Sequence, residues 1–196
     1  MQNENEINKT DQELIIATLH DKRAFSEIVK RYEAPISRYI RRLGCKDNDD
    51  IKDVLQEIFI KVFININDYD HNLKFSSWLY RIAHNETISF FRKKNTRPNV
   101  LNLNAEDSEI FFAQLADEKD FFEIAVNQND ASVIYDVLNQ LDNKYKEVIM
   151  LRFLEDKSYI EISDILKIPE GTVATLLNRG KKELRVALET KGIKNI

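Results

Sequence analysis

Thr172, Thr175, Asn178, Arg179 and Lys182 recur at three- and four-residue spacing in this 196-residue sequence, on one face of an expected helix. Their hydroxyl, amide and guanidinium groups are the types that read base edges in a major groove. Lys181 and Arg185 extend the set with phosphate-binding charge, and residues 171–196 carry six bases against two acids. On the opposite face Val173, Leu176, Leu177, Gly180 and Leu184 keep the spacing of a buried stripe. Just upstream, Ser158-Tyr159-Ile160-Glu161 fits a capping box. The turn Lys167-Ile168-Pro169-Glu170-Gly171 then separates two helices by about four residues, as a helix-turn-helix requires. A plain helical hairpin with a solvated basic face shares this spacing, so the DNA-binding reading rests on box, turn and polar face together.

Two other groupings lie in the first half. Tyr69, His71 and Lys74 sit in a polar stretch beside Phe75, Trp78 and Tyr80, with Arg81, Arg92, Lys93 and Lys94 further along. Aromatic rings next to cations are how proteins hold unstacked bases. Trp78, Leu79 and Ile82 read as core, which leaves Tyr69, His71 and Lys74 to meet an extruded base. Asp47, Asp49, Asp50, Asp53 and Glu57 gather at the start of another helix, where the helix dipole favours acids. No catalytic constellation stands out. There is no Gly-rich phosphate loop and no GxSxG elbow, and His20, His71, His84 and Cys45 have no ligand spacing. Neither enzymatic activity nor a metal or other cofactor is expected. A lone cysteine fits a reducing cytoplasm, the polar N-terminal stretch is unlike a signal peptide, and no apolar run approaches the ~20 residues of a membrane span.

The elements that position these groups are expected to be helices. Four Gly and three Pro are too few for a sheet-rich fold, which needs turn punctuation every ten residues or so. Phe25, Ile28, Val29 and Tyr32, then Ile36, Tyr39, Ile40 and Leu43, predict a helix from about Gln12 to Arg42. Pro35 is expected to break or kink it and Gly44 to cap it. Asn48, Asp49 or Asp50 is expected to cap a helix striped by Ile51, Val54, Leu55, Ile58 and Val62. NINDYDHNLKF (65–75) reads as a loop, and Ser76 or Ser77 starts a helix ending at Arg92-Lys93-Lys94. A second unit begins at Ser132, with a break at Asp142-Asn143 and a last helix of about 18 residues from Thr172.

The resulting fold class is all-α: two small helical domains joined by a long linker. The expected boundaries are a polar leader 1–19, a first domain 20–95, an acidic linker 96–131, a helix-turn-helix domain 132–190 and a tail 191–196. A net charge of −4 argues against a nucleic-acid partner only when averaged. The leader carries −3, residues 20–95 carry +4, the linker −6 and residues 131–196 +1. Such a chain should hold duplex DNA poorly alone, since affinity follows neutralised phosphates. Phe111-Phe112 and Phe121-Phe122 come in clumps rather than a stripe, so the linker is expected to dock in places without forming a third core.

DVLQEIFIKVF (53–63), FSSWLYRIAHN (75–85) and RKK (92–94) resemble region 2 of the sigma-70 family. LNQLDNKYKEVIMLRFLEDKSYIEISDILKIPEGTV (138–173) resembles its region 4. Two such units with nothing but a linker between them are similar to the extracytoplasmic-function (ECF) subgroup. The resemblance implies a factor that binds RNA polymerase core, recognises promoters and helps open the duplex. It implies that Asp50, Asp53, Gln56, Glu57 and Lys61 meet the clamp helices of the largest polymerase subunit, and that the C-terminal domain meets the flap of the second. The loop around Tyr69, His71 and Lys74 would capture a flipped base of the −10 element, with Arg81, Asn85, Ser89, Arg92 and Lys93 as further −10 contacts. Thr172, Ala174, Thr175, Asn178, Arg179, Lys181 and Lys182 would meet the −35 element. Where relatives often carry a basic residue and then Ser-Arg after Gly-Thr-Val, this sequence has Ala174-Thr175-Leu176, which removes two cations from that helix. An anti-sigma factor is a further implied partner, and no direct membrane insertion is expected.

Promoter geometry fits two domains. The −35 and −10 elements lie about 25 base pairs apart, or ~85 Å at ~3.4 Å per pair. A domain of under ~100 residues has a radius of gyration of ~13 Å or less and cannot touch both. A helix-turn-helix regulator that never joins polymerase, or a module that only sequesters a partner, would share the second domain. The first would leave Asp53, Gln56 and Glu57 without an assigned partner, and the second predicts no promoter-specific footprint even with core polymerase present.

Overall fold

The computed structural model describes residues 9–94, 105–116 and 131–191. The described residues form α-helices joined by short turns, with no strand among them. α1 (Asp11–His20) opens on a full capping box, in which Thr10 accepts from the Glu13 N–H and the Glu13 carboxylate reaches back to the Thr10 N–H. Residues expected to be leader therefore belong to the fold: Leu14 and Ile15 are buried, and Asp11 accepts from Arg31 and from the Tyr32 hydroxyl. Asp21 ends α1 and caps a short 3-10 turn, Lys22–Ala24, which leads into α2 (Phe25–Arg42).

Of the break or kink expected at Pro35, the break is absent. α2 runs through the proline, and the interruption falls at Asp21 instead. Burial on both sides of Pro35, by Ile28, Tyr32, Ile36 and Tyr39, holds the helix together across the missing donor. Gly44 takes a positive φ of 109° after the helix end, the conformation glycine adopts without a Cβ penalty. α3 (Asn48–Ile64) is capped one residue earlier than expected, by Asp47, whose carboxylate accepts from the N–H groups of Asp49 and Asp50. A 3-10 turn, Ile66–Asp68, then leads through the polar loop to α4 (Phe75–Lys93), which starts at Phe75 rather than at a serine cap. α2, α3 and α4 pack on one another around Ile28, Tyr39, Ile58, Val62 and Leu79.

α5 (Ala105–Ala116) lies within the expected linker, in keeping with partial docking. It packs on α6 (Ala131–Gln140) and α7 (Asn143–Phe153), burying Phe111 and Leu115, with Phe111 edge-on to Phe153 at 5.7 Å. The Phe121-Phe122 clump and the rest of the linker lie outside the described residues.

The break at Asp142 is where it was expected, and α7 starts behind it. α8 (Tyr159–Leu166) carries the expected capping box, Ser158 with Glu161. α9 (Glu170–Thr190) begins two residues before Thr172. Gly180 sets how closely α7 and α9 approach, since a Cβ there would sit 2.9 Å from Ile149 Cδ1 and 3.1 Å from Tyr145 Cβ. The two domains also meet, because α4 packs along α8.

Candidate nucleic-acid interface

The turn before α9 is held by its own polar groups. Lys167 adopts φ 55°, ψ 44° to end α8, and Ser163 Oγ donates to the Ile168 carbonyl at 2.6 Å. α9 then presents Thr172, Thr175, Asn178, Arg179 and Lys182 on one exposed face, with Ala174 half-buried beside them. The Thr175 hydroxyl donates to the Gly171 carbonyl at 2.8 Å, so towards a base it is left as an acceptor. Lys181 departs from the expected set. At 9% exposure it lies on the inner face, four residues after buried Leu177 and three before buried Leu184, turned away from the reading face.

On the first domain the expected −10 residues divide. His71 and Lys74 are exposed on the loop, and Asn85, Arg92 and Lys93 are exposed along α4. Ser89 is half-buried and accepts from Arg92 Nη2 at 3.1 Å. Tyr69 is only 4% exposed. Its hydroxyl donates to the Leu73 carbonyl, and its ring lies 5.5 Å from Phe75 and 5.6 Å from Trp78. In this arrangement Tyr69 props the loop from beneath and is not presented to a base. Arg81 is half-buried against Asp164 of α8.

The acidic face of α3 is laid out as a row, with Asp53, Gln56 and Glu57 all exposed. Asp50 is engaged by Lys94 at 2.5 and 2.7 Å, and Lys61 by Glu86 at 2.6 Å. Beside the row runs an apolar groove of about 560 Å³ between α2 and α3, lined by Phe25, Val29, Leu55, Phe59, Ile60 and Phe63, with Gln56 at its edge. Ile60 and Ile64 stand 42% and 66% exposed. The sequence reading missed this groove. Its signal is the surplus of apolar residues at 59, 60, 63 and 64, beyond the stripe that α3 needs to pack.

A polar cluster joins the two domains. Arg42 donates through Nη1 to Glu155 and to the Leu154 carbonyl, both at 2.7 Å, and through Nε and Nη2 to Asp107 on α5. Tyr80 donates to the other Glu155 oxygen at 2.8 Å. Burial pushes the Glu155 carboxyl up and opposes the charge on Arg42, but Glu155 and Asp107 outweigh that for the guanidinium, whose pKa is raised. The cluster is an ion pair with a shared hydrogen-bond network.

Compared with known proteins, the Sigma-70 region 2 family matches residues 28–97 and the Sigma-70, region 4 family matches 132–184. The chain is 38% identical over 174 residues to the ECF RNA polymerase sigma factor SigW of Bacillus subtilis, covering 86% of this chain and 90% of that protein. The chain belongs to the ECF sigma factors. Such a sigma factor is a transcription-initiation subunit and not an enzyme. It is also 31% identical to the ECF RNA polymerase sigma-E factor of Haemophilus influenzae, over 88% of this chain and 92% of that one. Among solved structures, CnrH in complex with the cytosolic domain of CnrY matches with a TM-score of 0.65 at 22% identity, covering 92% of this chain and 97% of that one. The sigma factor RpoE from Bartonella quintana, in complex with the anti-sigma factor NepR, matches at 0.56 and 20%, over 83% and 97%. Both likenesses concern the all-α sigma fold. No helix among the described residues is long and apolar enough to cross a membrane.

Proposed function

We propose that this sigma factor docks on RNA polymerase core through the α3 row Asp53, Gln56 and Glu57 and the apolar groove beside it. It reads the −35 element with the exposed face of α9 and meets the melted −10 element with Lys74, His71 and the α4 residues Arg81, Asn85, Arg92 and Lys93. Thr172, Thr175, Asn178 and Arg179 take base edges, and Lys182 takes phosphate. Without the two cations that relatives often carry at 174 and 176, the −35 grip relies on Arg179 and Lys182. The setting is the cytoplasm, and an anti-sigma factor is its regulating partner.

The observation that carries this reading is the pairing of a polar, exposed α9 face with the α3 row and its exposed Ile60 and Ile64. A helix-turn-helix regulator acting alone has use for the first and none for the second. The test is in vitro transcription with core polymerase on a promoter library, with and without the chain. Chain-dependent start sites are expected, and Ile60→Lys is expected to abolish them while leaving the fold within about ±0.5 kcal/mol, as for an exposed position. Absence of any chain-dependent start site with the unaltered protein would sink the proposal.

A further inference from the structure

We infer that the free chain holds itself closed by placing carboxylates of α8 on the cations with which α4 meets promoter DNA, so that DNA and α8 compete for one surface. The competition rests on the sigma reading above, whereas the closure stands on the contacts alone. Arg81 Nη1 lies 2.9 Å from Asp164 Oδ1, with the two side chains 20% and 9% exposed. Lys74 Nζ lies 3.3 Å from Glu161 Oε1. Glu161 and Asp164 are three residues apart and share one face of α8. To an arginine or a lysine, carboxylate and phosphate are the same kind of ligand, an anion offering several acceptor oxygens. α8 therefore fills the positions that phosphates of the −10 strand would take.

The charge pattern along the chain supports this contact. Residues 154–164 hold Glu155, Asp156, Glu161 and Asp164 against Lys157 alone. Three of these acids meet cations of the first domain, Glu155 with Arg42, Glu161 with Lys74 and Asp164 with Arg81, whereas Asp156 is exposed and pairs with Arg152. Lys157 is itself accommodated, with Nζ 4.1 Å from the centre of the Tyr80 ring.

Closure and promoter engagement exclude one another. The two elements lie ~85 Å apart on duplex DNA, while α4 and α8 touch directly. Opening must also dismantle the Arg42 cluster. Arg42 holds Asp107 on α5 and Glu155 after α7, so whichever domain keeps α5, Arg42 loses at least one carboxylate. The contact is nonetheless releasable. Lys74 is 70% exposed, which makes its pair weak, and Asp164 Oδ2 is buried with no hydrogen-bond partner, so opening lets water satisfy it.

The test uses the full chain with spin labels at Lys22→Cys and Glu183→Cys, both exposed positions. Buried Cys45, its thiol pushed up to about 11 by burial, stays unlabelled. One short-distance population is expected in the free protein. Glu161→Gln with Asp164→Asn should add a longer one, and Gln keeps the capping box intact. The same double variant should bind an oligonucleotide with a melted −10 strand about 3- to 10-fold more tightly, the factor that one or two partly buried pairs convert to. On core polymerase, where the chain is already open, the gain should vanish. Should the double variant fail to fold, raising salt on the unaltered protein must lengthen the same distance. Long distances in the free unaltered chain, or a double variant that shifts neither distance nor affinity, overturn the inference. A longer distance without tighter binding overturns the competition with DNA. An unaltered chain that forms no promoter complex even on core polymerase overturns the sigma reading instead, and the distances then decide closure by themselves.

Discussion

Arg42 and Glu155 stand 113 residues apart in sequence and 2.7 Å apart in space, Nη1 to Oε1, with side chains only 4% and 5% exposed. A buried ion pair adds little over well-packed apolar groups, but removing one partner costs ~3–5 kcal/mol because a charge is left buried. Here the cost falls on the contact between the domains and not on either core, since Glu155 regains water when the halves part. Arg42→Met should therefore split thermal unfolding into two calorimetric transitions, where the unaltered protein shows one. A single transition at an unchanged midpoint in the variant would show that the cluster does not couple the halves.

Gly180 and Gly171 sit on the same helix and should respond in opposite directions to alanine. At 180 the new Cβ meets Ile149 Cδ1 at 2.9 Å and Tyr145 Cβ at 3.1 Å, so the α7–α9 contact must give. Overpacking costs ~1–3 kcal/mol, against a helix-propensity gain of ~1 kcal/mol, and net destabilisation is expected. At 171 nothing lies within 4 Å, and alanine should be neutral or add ~0.4–1 kcal/mol. Urea unfolding of both variants checks the pair, and a stabilising Gly180→Ala would mean that α7 and α9 are not packed this closely.

The contrast between these glycines was only half legible in the sequence. Period and capping gave α8 and the face of α9 directly, because Ser158-Glu161 and the Val173, Leu177, Gly180, Leu184 stripe are local signals. The break that proline's local rule predicts at 35 is overridden by apolar burial on both sides. Lys181 and Tyr69 were misplaced for a related reason. Residue type suggested a phosphate contact and a stacking ring, but position on the helix and in the loop turned both inward. The Arg42 cluster could not have been read at all. Its partners are separated by 65 and 113 residues, and no local pattern announces which carboxylate a given arginine will meet.

Arg179 and Lys181, two residues apart, should fail in different ways. Arg179 is exposed on the reading face, so Arg179→Ala should cost ~1–3 kcal/mol at the −35 element and relax sequence preference there. Lys181 is on the inner face, so Lys181→Ala should leave the slope of log affinity against log salt unchanged, where loss of a phosphate contact would reduce it by about one. Promoter binding by the holoenzyme across a salt series measures both. A reduced slope in Lys181→Ala would return that residue to the DNA face.

His84 makes stability depend on pH with a definite sign. Tyr39, fully buried, has its hydroxyl pushed well above its ordinary range by burial, and it shares a hydrogen bond with His84 Nδ1 across 3.1 Å. Burial disfavours the charged imidazole and lowers its pKa from 6.5 to about 4. Below pH ~6.5 the unfolded chain takes up a proton that the folded chain refuses, so this contribution is lost as pH falls from ~6.5 towards ~4, by about 3 kcal/mol in all. Glu147 and Glu155 act in the opposite sense, because burial raises both and the folded state then binds protons more readily than the unfolded one. The unaltered curve alone mixes the two effects. The difference between it and the curve for His84→Gln isolates the histidine, and should shrink by about 3 kcal/mol between pH 7 and 4. A difference that stays constant with pH would mean that His84 titrates alike in the folded and unfolded chain.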